Sequence, residues 1–178
     1  MKKKLSDLRL ILEAVKGKNM SASRAVDQED YSIELIVDYT KTLEQLIVDG
    51  KYNLVNQSIT SKNFPIPDGL TGKKVKVLGN FFYFNRSVSS KNVIKKMDKA
   101  GFRPATLMEL LALRVACLEL KKQYSIIALG SIWKNNFGYL YVSSFAVNND
   151  NCHLVLDPFN GNWLAACCFF GVCKQLIE

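Results

Sequence analysis

The sequence contains little histidine and proline, and it lacks a long apolar run. His153 is the single histidine among 178 residues, so every histidine-dependent mechanism rests on one side chain. The longest apolar stretch, residues 163–173, falls well short of the ~20 residues that a membrane-spanning helix needs. Four prolines and ten glycines are too few for a collagen-like or low-complexity chain. With 48% apolar residues, the chain is expected to form one globular domain with a sizeable core.

The features of a secreted protein are also missing. A basic start at residues 1–4 is followed by Arg9 and Glu13, which interrupt the apolar run that a signal peptide requires. The number of cysteines is odd, and four of the five lie in apolar segments, which favours reduced core residues over a disulfide framework. We therefore expect a cytoplasmic protein with reduced cysteines: Cys117, Cys152, Cys167, Cys168 and Cys173.

Motifs for cofactors and metals do not occur. The chain has no P-loop, no G-x-G-x-x-G and no C-x₂-C pair, so neither a cofactor nor a metal site is predicted. One enzyme hypothesis stays open, that of a small hydrolase or transferase dependent on cysteine and histidine. It requires Cys167 or Cys173, on a strand adjoining that of His153, to act as the nucleophile, with Asp157 orienting the imidazole.

Apolar periodicity indicates an α+β chain. Residues 5–16 predict an amphipathic helix, and residues 18–30 read as a polar linker. Residues 32–39 predict a strand, and Thr40 or Thr42 can cap the helix that follows.

The next segments continue the same mixture of strands and helices. Residues 74–84 predict a strand with a bulge at Gly79, and a short helix runs from Ser89 or Ser90 to Ala100. Thr106, with Glu109, forms a capping box that begins a long buried helix.

The last third of the chain has a period of two. Four strand-like runs, from residue 124 to residue 173, are separated by turn residues and predict an antiparallel meander that is covered on both faces. The predicted fold is therefore a mostly antiparallel sheet of five or six strands with three or four helices packed on it. The domain boundaries are residues 1–30 for the helix and linker, and 31–178 for the single α+β domain.

Positive charge is concentrated in residues 71–104. This stretch contains nine of the 24 basic residues and one of the 16 acidic ones, Asp98, so it accounts for the whole net charge of +8. The nine candidate binding residues are Lys73, Lys74, Lys76, Arg86, Lys91, Lys95, Lys96, Lys99 and Arg103.

Helical geometry places the lysines of residues 90–100 on one face, opposite an apolar face. Neighbouring like charges on a helix repel each other, and an anionic partner would relieve that repulsion. We therefore expect a non-enzymatic binding or regulatory protein with an anionic partner such as nucleic acid. Two alternatives remain: a solvated lysine face without a partner, and a protein–protein inhibitor or regulator from a phage or mobile element. The sequence does not predict an oligomeric state.

The same stretch does not match either of two nucleic-acid motifs. The aromatic run at residues 81–84 could stack on bases, but it does not match an RNP1 strand, and strand aromatics usually belong to the core. Residues 89–122 do not fit a helix-turn-helix, because the second helix is apolar whereas that motif needs an exposed reading helix.

Several phrases together resemble a group of uncharacterised bacterial and phage proteins. They are VDYT (37–40), GKY (50–52), SKNFP (61–65), GFRPAT (101–106), ELLA (109–112) and IALGS (127–131). The resemblance covers roughly residues 31–174 and implies a compact bacterial or mobile-element domain. It implies no particular activity, cofactor or catalytic residue.

Overall fold

A computed structural model describes residues 32–118, 124–148, 151–165 and 167–174. The predicted N-terminal helix and linker, residues 1–30, lie outside the described residues. The described part contains three helices: α1 (Leu43–Asp49), α2 (Ser90–Lys99) and α3 (Leu107–Ala116). Its ten strands are β1 (Ile33–Asp38), β2 (Leu54–Val55), β3 (Lys74–Tyr83), β4 (Val88–Ser89), β5 (Phe102–Pro104), β6 (Tyr124–Lys134), β7 (Leu140–Asn148), β8 (Asn151–Pro158), β9 (Asn162–Trp163) and β10 (Cys168–Cys173).

Eight of these strands form one mixed sheet, in the order β1-β3-β10-β6-β7-β8-β2, with β5 paired to β10. Strands β4 and β9 form a separate two-stranded sheet. Two of the pairings in the large sheet, β10 with β6 and β2 with β8, are parallel. The prediction of a mostly antiparallel sheet of five or six strands is therefore wrong. Strands of two or three residues such as β2 and β5 are too short to show a period, and periodicity does not reveal which strands pair.

The predicted meander is correct for three strands and fails at the fourth. Strands β6, β7 and β8 pair in sequence order and antiparallel. The last apolar run does not continue beside β8 but divides into two strands. Its first part, β9, pairs with β4, and its second part, β10, returns to the middle of the sheet between β3 and β6.

The large sheet has a hydrophobic core on each face. On one face, α1 and α3 cover a core that includes Leu43, Leu110 and Phe170. On the other face, α2 and the β4–β9 sheet cover a core that includes Met97 and Phe169. Phe169 and Phe170 are adjacent in β10 and therefore point to opposite faces. The expectation that both faces are covered is confirmed.

The helices begin where the sequence predicts. Thr42 and Thr106 each form a capping box, with Gln45 and Glu109 respectively. Helix α2 has Ser89 as its N-cap and Ala100 as its C-cap. Helix α3 is buried on most sides, although it ends at Ala116, and residues 119–122 of the predicted longer helix lie outside the described residues.

Gly79 does not form the predicted bulge. Strand β3 pairs with β1 and β10 without a shift in register at this residue. A Cβ atom at Gly79 would lie 2.1 Å from Cζ of Phe170, so the close approach of this buried ring explains the glycine. The register shift in the sheet lies instead in β6, between Ala128 and Ile132.

Candidate functional site

The nine candidate cations differ in their environment, because three of them form ion pairs with carboxylates. Lys74 Nζ lies 3.3 Å from Oδ2 of Asp38, and Lys76 Nζ lies 3.2 Å from Oε1 of Glu34. Asp38 and Lys74 are directly opposite each other in the antiparallel β1–β3 pair, and Glu34 is the diagonal neighbour of Lys76 on the same face. Opposite charges in such cross-strand positions stabilise a sheet. Lys74 and Lys76 therefore each form an ion pair with a carboxylate of the neighbouring strand.

Arg103 has a structural role in a buried contact. Its guanidinium donates two hydrogen bonds to the Glu109 carboxylate, from Nη1 at 2.9 Å and from Nη2 at 2.6 Å. The hydrogen bond to Glu109 raises the pKa of Arg103, although partial burial opposes this. Oε2 of Glu109 also accepts a hydrogen bond from the backbone N–H of Thr106. Arg103 thus connects β5 to the first turn of α3. Its guanidinium is paired with Glu109, so we do not count it among the free cations of the candidate site.

The other six cations have no ion-pair partner among the described residues. Asp98, the single acid of the basic stretch, pairs with Lys174 just beyond the end of β10. The α2 lysines therefore receive no compensation from it. The six are Lys73, Arg86, Lys91, Lys95, Lys96 and Lys99.

Four of these six cations line one open groove of about 620 Å³, at the side of α2 next to β4 and β9. None of the described residues that line the groove is acidic. Lys73 and Lys91 are not part of its lining. Its cations are Arg86, Lys95, Lys96 and Lys99, its uncharged polar residues are Ser87, Ser89, Asn92 and Asn162, and its apolar residues are Phe84 and Val88.

The walls of the groove are joined by a buried hydroxyl. Ser90 Oγ donates a hydrogen bond to the backbone oxygen of Phe159 at 2.6 Å and accepts one from Trp163 Nε1 at 2.8 Å. Ser89 and Asn162 are opposite each other in the β4–β9 pair. The start of α2 is therefore fixed to the segment that carries Asn162, and the groove is formed before any ligand arrives.

Aromatic packing supports the floor of the groove. The rings of Phe84 and Trp163 each contact Phe169 edge-on, at centroid distances of 5.8 Å and 5.7 Å. Phe169 is completely buried, and Phe81 and Phe82 are buried in the two cores. The core interpretation of the aromatic run is confirmed for Phe81 and Phe82, whereas Phe84 is half-buried and faces the groove.

Helix α2 has like charges along one face, although Lys96 and Lys99 are in its last turn, where cations favour a helix. Lys91, Lys95 and Lys99 follow each other at intervals of four residues, and each such like-charge pair costs ~0.2–0.5 kcal/mol. The first turn has no acidic residue, although carboxylates there favour a helix. An anion in the groove would offset the repulsion between Lys95 and Lys99, which both line it.

The cysteine–histidine hypothesis does not fit the sheet order. His153 lies on β8, Cys173 is the last residue of β10 and Cys167 directly precedes that strand, so β6 and β7 lie between the histidine and the two cysteines. Three strand spacings correspond to about 14 Å. The prediction that these strands adjoin is wrong. Asp157, the residue expected to orient the imidazole, accepts a hydrogen bond from the Ser144 hydroxyl.

Further findings concern thiols, metals and membranes. Burial raises the pKa of both Cys117 and Cys168 to about 12, which opposes thiolate chemistry there. Within the described ranges, no three histidine, cysteine, aspartate or glutamate side chains gather as a metal site. None of the helices found in those same ranges has the length and apolar character to cross a membrane.

Sequence reasoning missed the uncharged part of the groove. Ser90 is 69 residues from Phe159 and 73 residues from Trp163, and no local pattern predicts that these segments meet. The one usable signal was the absence of acids between residues 71 and 97, which identified the cationic side alone.

Comparison with protein-family models found no matching family, and comparison with curated proteins and with solved structures found no match. The resemblance of residues 31–174 to an uncharacterised bacterial and phage group stays a prediction.

Proposed function

We propose that this protein binds nucleic acid through the groove beside α2, as a non-enzymatic binding or regulatory protein. The observation that carries the proposal is four cations on one preformed groove, where none of the lining residues that the structure describes is acidic. Positive charge without an ion-pair partner in the described part of the chain lowers the free energy of association with polyanions.

The uncharged lining favours nucleic acid among anionic partners. Contacts to phosphate oxygens in protein–DNA complexes come from arginine, lysine, serine and asparagine side chains, which are the polar residue types of this groove. Asn92 and Asn162 also carry both donor and acceptor atoms, which suit base edges.

The proposal is tested by charge reversal in the groove. The variant K95E/K99E changes two groove lysines, and we expect it to lower the affinity for a mixed-sequence fluorescent oligonucleotide at least about tenfold at low salt, because non-specific binding depends on phosphate neutralisation. Fluorescence anisotropy measures the affinity.

The matched control is K62E/K134E, which makes the same change in net charge at two exposed lysines outside the groove. We expect it to retain most of the affinity. The proposal fails if the wild-type protein binds neither DNA nor RNA at low salt. It also fails if the two double variants lose affinity equally.

A further inference from the structure

The size and lining of the groove indicate which kind of nucleic acid it binds. This inference rests on the proposed function. A volume of about 620 Å³ is that of a small-molecule pocket, and it accommodates one or two nucleotides of a flexible strand.

The groove also contains a partly exposed aromatic ring among its cations. Phe84 lines the same groove as Arg86, Lys95 and Lys96, and its edge-on contact with the buried Phe169 fixes its position. Proteins that bind single strands combine a basic track for the backbone with aromatic side chains on which bases stack. Unpaired bases can reach such a ring, whereas the bases of a duplex are stacked on each other.

We infer that the groove binds single-stranded nucleic acid, with phosphates at the cations of α2 and Arg86 and one base against Phe84. The amide side chains of Asn92 and Asn162 lie in the same lining and donate to the base or the backbone. The cations supply affinity for any polyanion, and Phe84 supplies the preference for a strand with accessible bases.

Three probes of equal length test this inference: a mixed-sequence single strand, a strand of the same phosphate spacing with abasic sites throughout, and the corresponding duplex, which carries the phosphates of two strands. Each is titrated with wild type, Phe84→Leu and K95E/K99E at one low salt concentration. Leucine keeps an apolar side chain against Phe169, and near-ultraviolet circular dichroism verifies that the fold is intact.

We expect the wild type to bind the single strand at least about fivefold more tightly than the abasic strand, the effect of one stacked base. Phe84→Leu should lower the affinity for the single strand to that for the abasic strand and leave duplex binding unchanged. K95E/K99E should weaken all three complexes.

The outcomes separate the two proposals. Equal binding of the single strand and the abasic strand by wild type, or single-strand binding that is insensitive to Phe84→Leu, overturns the single-strand inference while groove binding stands. Absence of binding to every probe, or binding that K95E/K99E does not weaken, overturns the proposed function itself. The abasic comparison on the wild type needs no variant, so it decides the matter even if Phe84→Leu fails to fold.

Discussion

Ser90 is the residue whose side chain holds the two sides of the groove together. It is 2% exposed and has two partners from a distant part of the chain, the Phe159 carbonyl and the Trp163 indole. Removing one partner of a buried hydrogen bond leaves the other groups desolvated and unsatisfied. Ser90 thus links the core that includes Met97 and Phe169 to the position of α2 beside the groove.

For Ser90→Ala we expect the free energy of unfolding to fall by ~1–3 kcal/mol, because the indole N–H and the carbonyl lose their partner. Urea denaturation followed by tryptophan fluorescence measures this. The control is Ser87→Ala in the same groove, where the side chain is exposed and a change within about 0.5 kcal/mol is expected. Equal stabilities for the two variants would contradict the role of Ser90.

At the scale of elements, β10 organises the molecule, because its residues contribute to both cores and it pairs with β3, β5 and β6. Its Phe170 ring lies over Gly79 of β3 in place of a side chain. The alternation of β10 residues was readable from the sequence. Its position between β3 and β6 could not be read from the sequence, because the chain first forms β9 beside β4 and only then returns to the middle of the large sheet.

We expect Gly79→Ala to destabilise the fold by ~1–3 kcal/mol, since the added methyl overlaps with a ring that is fully buried. In a Phe170→Leu background the same substitution should cost less, because the smaller side chain leaves room. A double-mutant cycle in urea measures the difference. Gly161→Ala, where the nearest atom is 3.8 Å from the added Cβ, serves as the control with little expected effect. Strict additivity would rule out the steric explanation.

For the whole molecule, the fold was predictable to the level of its α+β class, its capped helices and its two buried sheet faces. These features follow from local periodicity and capping residues such as Thr42 and Thr106. Strand order and the parallel pairings were not predictable, because they depend on contacts between distant segments. For the site, the charge count identified the α2 lysines, but it could not show that Arg103, Lys74 and Lys76 pair with carboxylates.

Stability of the whole molecule should decrease in alkali. Burial raises the pKa of Cys117, Cys168 and Tyr39 to about 12, so each group ionises more readily in the unfolded chain. Their stabilising contribution is complete below the unfolded pKa values, near 9 for the thiols and 10 for the tyrosine, and is lost as the pH rises through the folded values.

Between pH 9 and pH 10, before tyrosine titrates strongly, each thiol should remove up to about 1.4 kcal/mol of unfolding free energy per pH unit. Urea midpoints across this range measure the slope. The variant C117A/C168A should show a shallower slope than wild type, whatever its absolute stability. A slope that is identical in both proteins would exclude the thiols as its cause.

The salt dependence of oligonucleotide binding tests the central claim, a preformed groove whose four cations neutralise phosphates, most directly. For a single strand, log Kobs plotted against log [KCl] should have a slope of about −2 to −3, given about 0.7 per phosphate contact. K95E/K99E should lose at least half of that slope, and K62E/K134E should keep it. A wild-type slope near zero, or the same slope in both double variants, would contradict the claim.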